Sequence, residues 1–275
     1  MSLAQNIKKT INYCRKNGYS EAFFAAWERV TAKYYRNYTY QRPDANELAR
    51  QRSDQSITDI RFSILVPAFE TRTEYMTALI ESCLEQTYEN WELIIADGSK
   101  SDVVKKAVAG YADSRIRYER LPENSGIAGN TGRAIELAQG DYCGLLDHDD
   151  MITPDALYEM AHAIKKKNDE NKPILVYSDE DKCDSSGARF YDPHLKLDFN
   201  LDLILTNNYM CHFTVVETAT LKKLGIRKEY DGSQDYDLVL RVVSTLLLRE
   251  RENTGAQRVE KKIAHVPKVL YHWRC

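Results

Sequence analysis

Three aspartates crowd the turn that follows a short apolar segment near the middle of the chain. The segment, residues 142–146, has the length and apolar composition of a buried strand, and Asp147, Asp149 and Asp150 follow it with one histidine among them. Pro154 then opens a predicted helix, so the carboxylates lie where a strand of an α/β sheet ends, the edge at which such sheets bind ligands. Carboxylates this close repel one another unless a cation lies among them. The spacing therefore indicates a Mg²⁺ or Mn²⁺ site that carries substrate phosphates.

The same turn has a second interpretation in which no metal takes part. Acidic turns are common, and the three aspartates could form a solvated loop whose Thr153 or Asp155 caps the following helix. Spacing alone leaves both interpretations open, and the surrounding elements have to decide between them.

Strands and helices alternate on the amino-terminal side of this turn. An apolar strand is predicted over 62–67, an amphipathic helix over 74–86 and a second strand over 91–99, which contains Asp97. The following predicted elements are a helix over 103–111, a strand over 115–120 and a helix that ends at residue 138. Four strands alternating with helices predict an α/β fold, with a Rossmann-like, mainly parallel sheet between layers of helices.

The glycine pattern speaks against a dinucleotide-binding fold. Such folds place a G-x-G-x-x-G turn directly after the first strand, but residues 67–72 read P-A-F-E-T-R and contain no glycine. A later string, residues 126–132, reads G-I-A-G-N-T-G and lacks the Lys-Ser/Thr of a P-loop. We expect it to be either a loop that lets backbone approach a nucleotide or sugar, or a turn with a helix cap.

Composition narrows the class of protein. The chain has 275 residues, of which 43% are hydrophobic, enough for a packed core, and its net charge of −3 gives no electrostatic argument for nucleic-acid binding. We expect a cytoplasmic protein, because no apolar window reaches the length of a membrane span and no signal-peptide core follows the amino terminus. Six scattered cysteines without a C-x-x-C pair predict reduced thiols and argue against a zinc site.

The first 58 residues differ from the rest and are predicted to form a helical extension with a linker, before a main domain over 59–275. Apolar residues at helical spacing predict two helices within residues 3–40, and residues 43–59 are polar and without a period. Tyrosines alternate with basic residues over 33–42, which could contact an anionic membrane surface. The alternative is a helical hairpin that packs on the main domain or on another subunit.

Further acids follow in the second half of the chain. Residues 178–181 read S-D-E-D after a strand predicted over 174–177, and so form a second acidic cluster at a strand terminus. Asp235 and Asp237 lie in the first turn of a helix predicted to start at Ser233, where a positive helix end stabilises carboxylates. Capping explains one of these two acids and leaves the other for chemistry. His212 is interpreted as a core residue.

Seven segments, in this order, resemble the bacterial family 2 glycosyltransferases with the GT-A fold that occur in O-antigen and other surface-polysaccharide clusters. They are V-P-A-F-E, A-D-G-S, N-S-G-I-A-G-N-T-G, L-L-D-H-D-D, Y-S-D-E-D, G-S-Q-D-Y-D-L-V-L-R and V-L-Y-H-W-R. The resemblance spans residues 62–274 and implies a mixed, mainly parallel sheet. The preceding sixty residues lie outside it.

The resemblance implies a pocket for the nucleotide base of a UDP- or dTDP-sugar. Pro67, Phe69, Glu70 and Asp97 match this pocket, in which Phe69 stacks on the base and Asp97 accepts a hydrogen bond from the base imide.

It also implies the residues that carry the reaction. Asp147 and Asp149 match the D-x-D element that holds Mn²⁺ or Mg²⁺ and the ribose or diphosphate, and Asp235 matches the general base of inverting members. His272 lies where some relatives supply another metal ligand; the alternative is a histidine packed beside Trp273.

The implied function is transfer of one sugar, with inversion, from a nucleotide sugar to a glycan acceptor, expected to be lipid-linked. Processive synthesis is not expected, because the Q-x-x-R-W signature and the membrane helices of the synthases are absent from the sequence. One alternative is a non-catalytic nucleotide-sugar-binding or scaffold module of a larger enzyme. A sugar-1-phosphate nucleotidyltransferase is a third hypothesis, but P-A-F-E-T-R lacks the glycine- and lysine/arginine-rich phosphate loop that this activity needs.

Overall fold

The computed structural model describes residues 38–167, 171–252 and 258–275, and the chain divides into the compact units Met1–Thr39 and Tyr40–Cys275. The predicted amino-terminal helices, and half of the segment predicted to contact a membrane, lie outside the described residues. The division into an extension and a main domain at residue 59 therefore stays a prediction. No helix in the described ranges has the length and apolar character needed to cross a bilayer.

Strands and helices alternate through the second unit. The strands are β1 (Phe62–Ala68), β2 (Trp91–Asp97), β3 (Ile116–Arg120), β4 (Tyr142–Leu145), β5 (Met151–Ile152), β6 (Leu175–Cys183), β7 (Phe190–His194), β8 (Thr214–Glu217) and β9 (Ile263–Arg274). The α-helices are α1 (Ala45–Ser53), α2 (Thr73–Leu84), α3 (Val103–Val108), α4 (Gly126–Leu137), α5 (Ala156–Lys165), α6 (Leu201–Ile204), α7 (Thr218–Leu224), α8 (Gln234–Glu252) and α9 (Val259–Lys262).

One mixed sheet contains all of these strands. Their order is β3-β2-β1-β4-β8-β6-β9-β5, and β7 pairs with β6 outside this path. The half that contains β1 to β4 is parallel, whereas β8 is antiparallel to both of its neighbours, β4 and β6. The predicted GT-A type fold, a mixed and mainly parallel sheet flanked by helices, is confirmed.

Alternating side chains of β1 enter two hydrophobic clusters. Phe62, Ile64 and Val66 belong to the cluster that includes residues of α2, whereas Leu65 belongs to the cluster that includes residues of α4 and α8. Successive residues of a strand point to opposite faces of a sheet, so β1 is covered on both sides. Burial on both faces explains why β1 reads as a nearly continuous apolar run in the sequence.

The segment predicted as a polar linker is largely helical in the structure. Asp44 caps helix α1 by accepting hydrogen bonds from the amides of Asn46 and Glu47. Gln51 is buried and accepts a hydrogen bond of 2.8 Å from the hydroxyl of Thr87. A polar segment can therefore belong to the domain when a few side chains anchor it, and polarity alone could not reveal this.

Two boundaries also differ from the sequence predictions. Strand β6 continues to Cys183, so the acids of residues 178–181 lie within the strand and not beyond its end. Helix α4 begins at Gly126, so the glycines at 129 and 132 are helical and are not part of a loop. A long-range cap accounts for this early start, because Asp231 accepts a hydrogen bond of 2.8 Å from the amide of Ala128.

Replacement of Gly144 by alanine is expected to lower the free energy of unfolding by about 1–3 kcal/mol. The methyl group of the alanine would lie 2.5 Å from the ring of Phe213, which is closer than packed atoms tolerate. Urea denaturation of the purified protein measures the change.

Gly132→Ala is the matched control, because among the described residues no atom beyond its chain neighbours and its own helix backbone lies within 4 Å of the added methyl group. In the interior of helix α4 this change should raise stability by about 0.5–1 kcal/mol. Equal losses of stability in both variants would contradict the packing around Gly144.

Candidate active site

A cavity of about 340 Å³ opens at the sheet edge where β1 and β4 end side by side. Four of the residues singled out in the sequence line it: Pro67, Asp147, Asp149 and Asp235. The wall also includes His148, Cys211, His212, Ile127, Thr131, Thr214 and Gln234. Parallel pairing of β1 with β4 therefore brings residues from distant parts of the sequence to one cavity.

The three acids after β4 divide between two roles. Asp150 is fully buried, and its carboxyl group accepts hydrogen bonds from the Tyr271 hydroxyl (2.5 Å) and the Arg274 amide (2.7 Å). Burial, together with the nearby charge of Asp147, raises the pKa of Asp150 to about 8. Asp150 thus attaches the acidic turn to β9, whereas Asp147 and Asp149 face the cavity.

Asp147 lies beside a histidine. Its Oδ2 is 3.6 Å from Nε2 of His212. Desolvation would raise the pKa of Asp147, but the hydrogen bond and charge of His212, with the charge of His148, outweigh it and hold this pKa below its usual value. The carboxylate is therefore kept ionised.

Asp149 is fixed through its backbone and not through its side chain. Its carbonyl oxygen accepts a hydrogen bond of 2.6 Å from Nε of Arg274. Within the described ranges, no hydrogen bond or ion pair holds its carboxylate. Two carboxylates, Asp147 and Asp149, thus line one cavity, and oxygen donors of this kind fit a hard dication such as Mg²⁺ or Mn²⁺.

Asp235 lies in the first turn of α8 and faces the cavity. Its Oδ2 accepts a hydrogen bond of 3.0 Å from Nδ2 of Asn208. Asp237, two residues further, is buried and forms ion pairs with Arg227 and Arg241. Of the two acids in this helical turn, Asp237 therefore holds the structure together, whereas Asp235 lines the cavity.

Asp97 is fully buried at the end of β2 and does not line the cavity. It accepts hydrogen bonds from the Tyr118 hydroxyl (2.8 Å) and the Ser99 amide (2.9 Å), and Arg120 lies 3.4 Å away. Its predicted contact with a nucleotide base stays a prediction.

Glu70 and Phe69 follow β1 and also lie outside the cavity wall. Oε1 of Glu70 accepts hydrogen bonds from the amides of Lys100 (2.7 Å) and Ser101 (2.9 Å), so this side chain holds the loop after β2. The Phe69 ring is 40% exposed. An exposed ring beside the cavity residue Pro67 is available for stacking, and the predicted role of Phe69 remains open.

His272 is not brought together with Asp147 and Asp149. It is buried, its Nδ1 lies 2.5 Å from Oδ1 of Asp181, and the rings of Tyr40 and Phe190 pack against it at centroid distances of 4.6 and 4.2 Å. It does not line the cavity. His272 is therefore a packed histidine, as in the alternative interpretation. The rings beside it, however, are those of Tyr40 and Phe190 and not that of Trp273.

His212 was interpreted as a core residue, but the structure places it in the cavity wall. Its Nδ1 lies 3.0 Å from Oε2 of Glu180, and its ring stacks on that of Tyr271 with centroids 4.8 Å apart. Nothing in the sequence indicated this position, because His212 lies more than sixty residues from Asp147, the acid it meets in the cavity. Only the antiparallel pairing of β8 with β4 brings the start of β8 to their side.

A second cavity of about 330 Å³ adjoins the first. The two share Cys211, His212, Gly232 and Asp235. The rest of the second wall consists of Glu180, His194, Asn208, Ser233, Tyr236 and Trp273. Asp235 therefore lines both cavities. The first also contains Asp147 and Asp149, and the second contains aromatic and hydrogen-bonding side chains.

The sequence model of the family described as "Glycosyl transferase family 2" matches residues 63–224, more than half of the chain. The chain belongs to this family. The matched region contains β1 to β8, and with them Asp147 and Asp149, whereas Asp235 follows it.

The chain is also similar to several bacterial proteins and solved structures. The chain is 36% identical to the uncharacterized protein y4gI of Sinorhizobium fredii over 217 residues, which are 77% of this chain. It is 29% identical to the O-antigen biosynthesis protein RfbC of Myxococcus xanthus over 216 residues. The aligned regions are only 22% and 16% of those proteins. Among solved structures, S. aureus TarS 1–349 in complex with UDP superimposes with a TM-score of 0.57 at 18% identity, covering 78% of this chain and 61% of that one, which shows a shared fold.

Asp150→Ala is expected to lower the free energy of unfolding by about 2–4 kcal/mol, because the buried Tyr271 hydroxyl and Arg274 amide lose their acceptor. Asp149→Ala removes a carboxylate without a partner in the described residues and should change it by less than about 0.5 kcal/mol. Chemical denaturation of the two variants tests the division of roles. A large loss in Asp149→Ala, or none in Asp150→Ala, would reverse it.

Proposed function

We propose that the chain is an inverting, metal-dependent glycosyltransferase that moves one sugar from a nucleotide-sugar donor to a glycan acceptor in the synthesis of a cell-surface polysaccharide. The observation that carries this proposal is the convergence of Asp147, Asp149 and Asp235 on one cavity at the carboxyl edge of the sheet. Family membership adds support. The proposed location is the cytoplasm, at the inner face of the membrane.

Asp147 and Asp149 would hold the divalent cation, Mn²⁺ or Mg²⁺. When bound, such a cation stabilises the negative charge that develops on the departing diphosphate. The chain's own part is to hold the two carboxylates ready. His212 keeps Asp147 ionised, and Asp150 and Arg274 fix the backbone from which Asp149 projects.

Asp235 is proposed as the general base. Its carboxylate takes the proton of the acceptor hydroxyl while that oxygen forms a bond to the anomeric carbon and the bond from this carbon to the diphosphate breaks. Because the displacement is single and no enzyme nucleophile takes part, the anomeric configuration inverts. The hydrogen bond from Asn208 orients the carboxylate, so the reaction gains from positioning as well as from proton transfer.

The donor is proposed to be a UDP- or dTDP-sugar. TarS, which shares the fold, has been solved in complex with UDP, and this supports a nucleoside diphosphate at the same sheet edge. In the present chain Pro67, Phe69, Glu70 and Asp97 are proposed to surround the base. Phe69 is the residue free to stack, because Glu70 and Asp97 already bond to neighbouring groups.

The acceptor is proposed to enter the second cavity, on the other side of Asp235. Trp273 and Tyr236 offer aromatic surface there, and Asn208 and Ser233 offer polar groups, a combination typical of small-molecule sites. The name of the relative from Myxococcus xanthus supports a surface glycan as the acceptor. A lipid-linked glycan fits this class.

The reaction should require a metal ion. We expect the purified protein with Mn²⁺ to hydrolyse or transfer sugar from a UDP- or dTDP-sugar, and excess EDTA to stop it until Mn²⁺ is restored. Asp149→Ala should abolish turnover and yet melt like the parent protein. Release of the free nucleotide is measured by chromatography, and full activity in EDTA or in the variant would rule out the metal role.

Asp235→Asn is expected to lower turnover by about 10²–10⁴-fold while leaving nucleotide affinity unchanged, because an amide keeps the shape but cannot take a proton. Nucleotide binding is measured by calorimetry and turnover by the same release assay. Asp202→Asn, an exposed acid on α6, is the control and should behave like the parent. An unchanged rate in Asp235→Asn would assign the base elsewhere.

A further inference from the structure

The wall shared by the two cavities contains three different metal-binding side chains. Cys211, His212 and Asp235 offer a sulfur, a nitrogen and an oxygen atom, all within 4.8 Å of one another. In the described residues this is the one group of three or more such side chains with that spacing. It is chemically different from the neighbouring pair Asp147 and Asp149, which offers oxygen atoms only.

Outer partners hold two of the three side chains in place. Glu180 lies 3.0 Å from Nδ1 of His212 and orients the ring. Metal binding would replace the proton on Nε2, the nitrogen that lies 3.6 Å from Oδ2 of Asp147. Asn208 donates to Oδ2 of Asp235, so Oδ1 is the oxygen left for another contact. Carboxylate and amide partners of this kind orient the ligands of metal sites in proteins.

The backbone of the same segment is also anchored. The buried Lys196 donates from Nζ to the carbonyl oxygen of His212 and, at 3.4 Å, to that of Met210. The ring of Tyr271 stacks on the ring of His212. The three side chains therefore project from a fixed segment and a helix end, with their donor atoms within 4.8 Å of one another.

We propose that Cys211, His212 and Asp235 form a binding site for a borderline-soft dication of the Zn²⁺ type, next to the proposed Mn²⁺ or Mg²⁺ site. Sulfur and imidazole ligands select such ions, whereas paired carboxylates select hard ions. Three protein ligands leave the fourth position open to the cavity. The thiol gives up its proton to water when the metal binds.

Occupation of this site has a consequence that depends on the proposed function. Asp235 cannot take a proton from an acceptor while it ligates a metal, so Zn²⁺ is expected to inhibit sugar transfer even when Mn²⁺ is saturating. The existence of the site does not depend on the reaction, because metal binding can be measured without substrate.

Absorption spectroscopy with Co²⁺ tests the site directly. The parent for this test is the full chain with Cys14→Ser and Cys275→Ser, which removes one thiol outside the described residues and one exposed thiol. One equivalent of Co²⁺ should produce a thiolate-to-cobalt charge-transfer band, and Zn²⁺ should displace it. Adding Cys211→Ser should abolish the band, whereas adding Asp149→Ala should leave it intact, because Asp149 belongs to the other site.

Glu180→Gln provides an independent test, since it leaves all three ligands in place. Loss of the outer carboxylate should weaken Zn²⁺ affinity about 10–100-fold, measured by calorimetry at a temperature where the melting curve shows the variant to be folded. A missing band in the parent, or a band that survives Cys211→Ser, would overturn the proposal. If sugar transfer is not observed but the band behaves as expected, the metal site stands and the proposed function fails.

Discussion

The site depends on the hydrogen bonds that the buried carboxyl group of Asp150 accepts. Through Tyr271 and the backbone of Arg274 it joins the acidic turn after β4 to the last strand of the sheet. The turn would otherwise be an exposed loop with three mutually repelling charges. Burial favours the neutral form of Asp150, which lessens the repulsion among the three acids, and the other two face the cavity.

The mixed character of the sheet explains how the remaining residues reach the same place. Parallel strands β1 and β4 present their carboxyl ends at one edge, whereas the antiparallel strand β8 presents its beginning there. Residues before β8, Cys211 and His212, therefore face residues after β4. Strand β6 runs past this point and carries Glu180 to the back of His212.

Charge in this region is arranged in pairs across neighbouring strands. Each of the three acids on β6 meets a histidine: Asp179 meets His265, Glu180 meets His212 and Asp181 meets His272. Pairing of this kind makes acids tolerable within a buried strand, where isolated charges would be costly. One pair, Glu180 with His212, extends into the cavity and connects this structural pattern to Asp147.

The sequence by itself determined the alternation of strands and helices, the family and the positions of Asp147, Asp149 and Asp235. The alternation follows from local periodicity, and the family and the three acids follow from short segments that occur in the order typical of the family. The structure places all three acids in the wall of one cavity. The sequence did not reveal the helix at 45–53, because its anchoring depends on partners such as Thr87 that lie far along the chain. Nor could it separate Asp150 from its neighbours, since burial, and not residue type, distinguishes them.

The tertiary structure decided that His212 lines the cavity and that His272 does not. His272 resembled a metal ligand by position, but neighbouring residues of a strand point to opposite faces, and the one that reaches the second cavity is Trp273. His212 has no motif around it and is placed by strand pairing alone. The spacing of the cysteines likewise did not indicate a metal-binding role for Cys211, because Asp235, which lies close to it, belongs to a distant helix. Contacts between distant segments depend on packing, which local sequence patterns do not encode.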